Sequence, residues 1–392
     1  MTPEYNMSGY KNPIAYKIGG AYSGMFFYVG AVLPFWALWL AKVGMSPAEI
    51  GFLMGFPAFL KVLASPFIAQ ACDRLGMTRR PMLALIALAA FCFCGYLVFS
   101  SFLMFAFVTL LFSIAFTGFG PLLESYTVRA CDKYEIQYGR LRSVGSIVFV
   151  LSSLFIGKYL DHYGYDYFLY FCLGPFVLIF FCVFLLPREE RKPPPHDDDQ
   201  MGAISPLKFL LTNKQFIMFL VVFSLIQMSH GFIYAMGSYY WVAIGLDNET
   251  VGALWSVGVI AEILIFIFAG KIITKFRPMH VLIFIAFFGV IRWSVLAVTL
   301  SVPLLFVIQT IHGLTYGASH LVAMYFLSSR VPDKYFMTAQ SLYSSVPMGL
   351  SIGVVMLASG PLYNMFGGHA YFFMAALCFM ALFMARYVKR PE

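Results

Sequence analysis

Two stretches decide how the chain is read: EIGFLMGFPAFLKVLASPFIAQ at residues 49–70 and TVGALWSVGVIAEILIFIFAGK at 250–271. They align at an offset of 201 residues, and each is an apolar run long enough to cross a hydrocarbon core of about 30 Å as helix. The same offset pairs Asp132-Lys133-Tyr134 with Asp333-Lys334-Tyr335, and RPM at 80–82 meets 277–279 after a four-residue contraction. Two matches at one offset mark an internal duplication. Duplicated six-helix bundles with a path between them are a common plan for secondary carriers.

Outward from these stretches, apolar runs recur along the whole chain, at 16–41, 49–71, 81–100, 102–128, 141–160, 167–186, 215–243, 250–270, 279–299, 303–327, 339–361 and 369–387. The runs are continuous rather than alternating, which predicts helices and excludes a transmembrane barrel. Composition agrees. Of 392 residues 61% are hydrophobic and 11% charged, and the mean hydropathy of +0.81 is more apolar surface than a soluble core hides. The expected fold class is an all-α membrane protein of twelve transmembrane helices in two pseudo-symmetric halves. The first run is too long for a signal h-region and no A-x-A-like site follows it, so it is expected to be retained.

The formal charge of +8 has a topological origin. Of 26 Lys and Arg residues, 22 lie at the termini or in and beside the even-numbered connections, which places both termini in the cytoplasm by the positive-inside rule. Nucleic acid is not an expected partner. The partners expected are a small-molecule substrate, protons and the lipid bilayer, for a chain that works as a monomer. No metal or cofactor is expected, and Cys92 and Cys94, two apart on a helix, read as packing residues. There is no HExxH, GxSxG or P-loop, so neither an enzyme nor an ATP-driven pump within this chain is expected. The stretch 187–206 holds Pro193-Pro194-Pro195 and Asp197-Asp198-Asp199 and reads as a flexible linker between an N-terminal half, 1–186, and a C-terminal half, 207–392.

Charges at mid-membrane cost roughly 2.5–3.5 kcal/mol each on insertion scales, so those present are functional candidates by default. Lys61, Glu124, Arg142, Glu262 and Arg292 lie in or at spans, with His230, His312 and His320 beside them. With histidines neutral these charges sum to +1, which suits one organic anion. Lys61 and Glu262 occupy equivalent repeat positions with opposite charge. They are expected to face each other across the two-fold axis, paired when empty and parted by substrate. On span 10, His312, Tyr316 and His320 fall within about 80° of arc at helical spacing. Trp255, Gly258 and Glu262 share a stripe on span 8, and Gln227, Gly231, Tyr234 and Ser238 share one on span 7 with His230 at its edge. A polar stripe in so apolar a chain must face protein or water rather than lipid.

DRLGMTRRP at 73–81 resembles the signature loop of the major facilitator superfamily, with Asp73, Arg74, Gly76, Arg79 and Arg80 in place, Ala69 where Gly is usual, and Met77 and Thr78 inserted. LPFWALWL, YGRLRSVGSIVFV, LWSVGVIAEILIF, GVIRWS and IHGLTYGASHLVAM further resemble the phenylpropionate permease group, relatives of lactose permease. The resemblance implies a proton-driven symporter in a bacterial inner membrane. It implies substrate binding by Glu124 and Arg142, and binding and proton coupling by Glu262, Arg292, His312 and His320. The signature loop would serve as a gate. Ala323 stands where an acid is expected after His320, which shifts the proton role to Glu262. Aromatic Trp255, Tyr234 and Tyr316 are expected to stack on a substrate ring whose carboxylate Lys61 or Arg142 holds. A sugar or nucleoside cargo is the alternative on the same scaffold.

Overall fold

The structure, a computed structural model, describes residues 12–75, 78–188, 204–268, 276 and 278–388. Among the described residues, twelve helical rods match the twelve predicted spans. In the first half they are α1 Pro13–Lys42, α2 Pro47–Leu75, α3 Arg79–Phe93 with its extension Gly95–Val98, α4 Phe102–Tyr134, α5 Tyr138–Tyr163 and α6 Phe168–Phe184. A short helix, Ile204–Thr212, precedes α7, which runs Lys214–Met228, widens to a π-helical turn at Ile233–Gly237 and resumes at Ser238–Ala243. Then come α8 Asn248–Phe268 and α9 Pro278–Val298. In α10, Val302–Thr310 and Ser319–Arg330 flank a π turn at Gly313–Ala318, and in α11, Asp333–Ser345 and Ile352–Phe366 flank one at Val346–Ser351. The last rod is α12, Tyr371–Met384. The largest shifts from expectation, six residues each, are the end of α4 at Tyr134 and the start of α11 at Asp333, where polar turns extend the helices beyond their apolar runs. Most of the linker stretch, 189–203, lies outside the described residues.

The duplication is visible in backbone geometry. Both α1 and α7 end in a Schellman turn: Gly44 and Gly245 take φ of +91° and +98°, conformations that glycine adopts without strain. The hydrogen bonds coincide pair for pair, Gly44 N to Ala41 O and Met45 N to Leu40 O in one, Gly245 N to Val242 O and Leu246 N to Trp241 O in the other. Two residues later the next helix is capped. Ser46 and Glu49 form a capping box, the Ser46 amide donating to Glu49 Oε2 at 2.8 Å. Asp247 accepts from the Thr250 amide at 2.8 Å. Hydrogen bonds from Thr250 hold the Asp247 carboxyl below its ordinary value.

The rods pack as two units, residues 1–39 with 60–195 and residues 40–59 with 196–392. In the first, an aromatic core of Tyr28, Trp36, Phe93, Tyr96, Phe112 and Phe176 joins α1, α3, α4 and α6, and the Tyr96 and Thr109 hydroxyls share a 2.6 Å hydrogen bond. α1 crosses α5 at Gly30, where a Cβ would fall 2.6 Å from the Phe149 carbonyl oxygen. Beside the crossing Ser152 donates to Phe27 O at 2.7 Å. The last carbonyls of α6 are capped from outside: Arg79 donates to Phe184 O and Lys17 to Leu185 O, cations placed where the helix dipole favours them. In the second unit Phe219 stacks on Phe326 with centroids 4.3 Å apart, inside a core that includes Phe223, Leu282 and Tyr343. The opening turns of α2 meet α11 through Gly51 and Gly55, a GxxxG contact of the kind that lets membrane helices approach closely. Outward, side chains such as Phe91, Val98 and Leu103 are more than 70% exposed, a surface that belongs in lipid.

The Gly30 crossing gives a test. A Cβ there meets backbone, which cannot yield, whereas at Gly174 nothing lies within 4 Å. Overpacking of this kind costs about 1–3 kcal/mol. Gly30→Ala is therefore expected to lower the thermal unfolding midpoint in detergent by several degrees, and Gly174→Ala to leave it unchanged or higher. Equal midpoints would show that α1 and α5 have slack at the crossing.

Candidate functional site

In the second unit a buried cation organises the interior. Arg292 of α9 is 1% exposed, and its guanidinium donates to three neutral acceptors: Gln309 Oε1 at 3.0 Å, Thr315 Oγ1 at 2.9 Å and His312 Nδ1 at 3.3 Å. Its plane also lies 4.3 Å from the Trp293 ring centroid, a cation–π contact that is strong when desolvated. Gln309 is turned to accept because its amide nitrogen donates to Leu254 O at 3.4 Å. Trp293 is fixed by donating to Ser229 Oγ at 2.9 Å. Among the described residues Arg292 reaches no carboxylate within 4 Å.

His312 joins this cluster to Glu262. Its Nε2 lies 3.9 Å from Glu262 Oε2, and its ring stacks on Tyr316 with centroids 5.2 Å apart. Glycines make room for the approach of α10 to α8. A Cβ at Gly313 would fall 2.6 Å from Ala261 O, and one at Gly317 would fall 3.1 Å from Glu262 Cγ. Both lie in the π turn of α10, whose wider hydrogen-bond ring accommodates an extra residue, a device frequent at functional sites. His230 of α7 is fully buried and packs edge-on against Trp293, His312 and Tyr316.

The aromatic candidates adjoin this group. Tyr234 stacks on Trp255 with centroids 5.9 Å apart, and Trp255 donates to Ser238 Oγ at 2.8 Å. So Tyr234, Trp255, Tyr316, Glu262, Arg292 and His312 are brought together through shared neighbours. His320 is not. Its Nδ1 lies 3.2 Å from the Tyr343 hydroxyl of α11, because the π turn between His312 and His320 breaks the uniform 100° step on which their common stripe rests.

In the first unit Glu124 of α4 accepts from Tyr22 at 2.6 Å and from Tyr138. Arg142 lies over the Phe26 ring, 4.5 Å from its centroid, and Gly145 opens the slot that Phe26 fills. No ion pair within 4 Å joins Glu124 and Arg142 among the described residues. Lys61, in the middle of α2, is exposed. A lysine at that depth must face water or polar groups rather than hydrocarbon. Lys61 belongs to the first unit and Glu262 to the second. Of the signature loop, Arg79 caps α6 and also lies 5.2 Å from the Phe184 ring centroid. Arg80 is exposed at the start of α3, and Asp73 and Arg74 lie on the last turn of α2. Gly76 falls outside the described residues.

Sequence reasoning missed Gln309, Thr315, Trp293, Tyr22 and Tyr138, which hold the charged groups in place. Their signal was position. Gln309 and Thr315 sit three residues either side of His312, and Tyr138 lies four residues before Arg142.

Comparison with known proteins agrees with this architecture. The model of the MFS_1 like family matches residues 16–374. A probable 3-phenylpropionic acid transporter of Escherichia coli K12 is 29% identical over 366 residues, 93% of this chain and 95% of that one. Maltose permease of Geobacillus stearothermophilus is 28% identical over 377 residues, 90% and 89% of the two chains. The crystal structure of the nucleoside transporter NupG superposes with a TM-score of 0.83 over 97% of this chain and 100% of that one, at 12% identity, a likeness of fold. These relatives are transporters rather than enzymes. The chain belongs to the MFS_1 like family and is a secondary transporter of the major facilitator type, a multi-pass membrane protein with twelve helices.

Proposed function

We propose that the chain takes up a small organic anion such as 3-phenylpropionate together with a proton, by alternating access. The observation that carries this reading is the arrangement around Glu262. A partly buried carboxylate stands 3.9 Å from a histidine that a buried arginine holds from behind, with the Tyr234–Trp255 stack beside it. A carboxylate in such surroundings can gain and lose a proton as its neighbours change. The Arg292 guanidinium donates through Nη1 and Nη2 to neutral groups and stays in place while it does so. Lys61 and Arg142 of the first unit are the cations available to a substrate carboxylate, and the aromatic groups offer faces for a ring. The relative named as a probable 3-phenylpropionic acid transporter supports the cargo class.

A sugar cargo is the second reading. The Glu124 carboxylate between two tyrosine hydroxyls is an acceptor cluster suited to polyols, and the maltose permease is a relative of nearly equal identity.

Proteoliposomes discriminate between them. On adding 3-phenylpropionate, a weakly buffered exterior is expected to become alkaline beyond the passive leak of the neutral acid, and Lys61→Ala is expected to abolish the response. A response to maltose alone would move the assignment to the sugar reading and leave Lys61 a structural role. For the proton path, Glu262→Gln is expected to lose accumulation against a gradient, with internal substrate stopping at the external level, while counterflow exchange continues. Undiminished accumulation would remove Glu262 from the path.

A third test concerns solvent access. On a background with the seven native cysteines replaced, Lys61→Cys is expected to react with a membrane-impermeant thiol reagent applied to opened vesicles, because the reactive thiolate forms only in water. Arg292→Cys is expected to react at least tenfold more slowly. Equal rates would mean that the Arg292 cluster is open to solvent.

A further inference from the structure

The hydrogen bonds around Arg292 have a direction that follows from which groups can only donate and which can only accept. The Ile226 carbonyl can only accept, so the contact at 3.1 Å places the proton of the His230 ring on Nδ1 and leaves Nε2 bare. The hydroxyl proton of Thr315 is shared between that bare nitrogen, 3.1 Å from Oγ1, and the Ile311 carbonyl at 3.2 Å, so Oγ1 donates on that side in either case. The lone pairs of Oγ1 are then turned to Arg292 Nη1 at 2.9 Å. The second proton of Nη1 goes to His312 Nδ1 at 3.3 Å. A guanidinium carries no acceptor, so Nδ1 of His312 is bare and the ring proton sits on Nε2, the nitrogen that faces Glu262.

We infer that the buried chain Ile226–His230–Thr315–Arg292 locks His312 as its Nε2–H tautomer, so that His312 presents a hydrogen-bond donor to Glu262 and takes no second proton while Arg292 occupies Nδ1. Thr315 is the positioning residue of this lock. Its hydroxyl is the one group that both accepts from Arg292 and donates to His230, and it lies in the π turn that brings α10 toward α9 and α7. Gln309 holds the other arm of the guanidinium, which keeps Nη1 from rotating away. The lock divides the labour between two neighbouring titratable groups. His312 turns its protonated nitrogen toward Glu262, 3.9 Å away, and Glu262 is the group that changes its protonation. The other ionisable groups of this cluster are His230 and Tyr234 on α7, Arg292 on α9, Tyr316 on α10, and Tyr371 and Cys378 on α12, and Lys61 stands at the repeat-equivalent position in the first unit.

The mechanistic value of the lock rests on the proton-coupled reading above, but the tautomer is measured without it. In lipid-reconstituted protein labelled with ring-15N,13C histidine, the difference between wild type and His312→Gln isolates His312 from the other six histidines. A protonated Nε2 with a bare Nδ1 is expected. A protonated Nδ1 in the wild type overturns the proposal. Thr315→Val removes the hydroxyl at nearly constant volume and is expected to give both His312 tautomers and to lower substrate-driven proton flux about tenfold, the scale of one lost hydrogen bond to a charged group. Thr315→Ser, which keeps the hydroxyl, is expected to restore both. A folded Thr315→Val protein with the wild-type tautomer overturns the role of Thr315. Should that variant not fold, Arg292→Met, which withdraws the donor itself, must release the tautomer, and an unchanged spectrum there overturns the lock. Flux absent from the wild type with the tautomer as expected would refute proton coupling and leave the lock standing.

Discussion

The second half of this transporter depends on how a membrane interior accommodates one guanidinium. Arg292 is almost completely desolvated, and the groups that receive its protons are an amide, a hydroxyl and a neutral imidazole. Unpaired, a buried cation of this kind is costly, and the cost falls only if each acceptor is supplied at the right place. That requirement fixes α10 at three points within seven residues. It also sets the rotamer of Trp293, and through Thr315 it reaches α7. The π turn of α10 is the backbone adjustment that lets His312 and Thr315 serve one guanidinium while Gly313 and Gly317 meet α8.

The two halves share a backbone plan and differ in chemistry. The second half holds His230, Glu262, Arg292 and His312, whereas the first holds Tyr22, Glu124 and Arg142; at the 201-residue spacing that relates α1 to α7, His230 is matched by Val29 and Tyr22 by Phe223. A repeated scaffold thus carries different charged groups in its two halves.

The spans, their order and the duplication were legible because hydrophobic length and repeat spacing survive any side-chain detail; the rods begin and end within a few residues of the apolar runs, save where polar turns extend the end of α4 and the start of α11. The charged candidates were legible because a charge inside such a run is rare. What could not be read was how a helix departs from 100° per residue. The π turn at 313–318 carries no sequence mark beyond its glycines, and it decides that His312 faces Glu262 while His320 meets Tyr343. Nor do neutral residues such as Thr315 and Gln309 announce themselves, since their importance comes from the direction of a hydrogen bond, which only the packed structure supplies.

The matched Schellman turns at Gly44 and Gly245 bear on how such a molecule ages. Their closure is written in main-chain hydrogen bonds and in one residue without a Cβ. Almost every side chain around them is therefore at liberty to drift without loosening the joint. The joints act as fixed points of descent: the pairing of α1 with α7, and of α2 with α8, stays traceable after the surrounding helices have exchanged nearly all of their identities, and new polar chemistry can be tried in one half without disturbing the frame of the other.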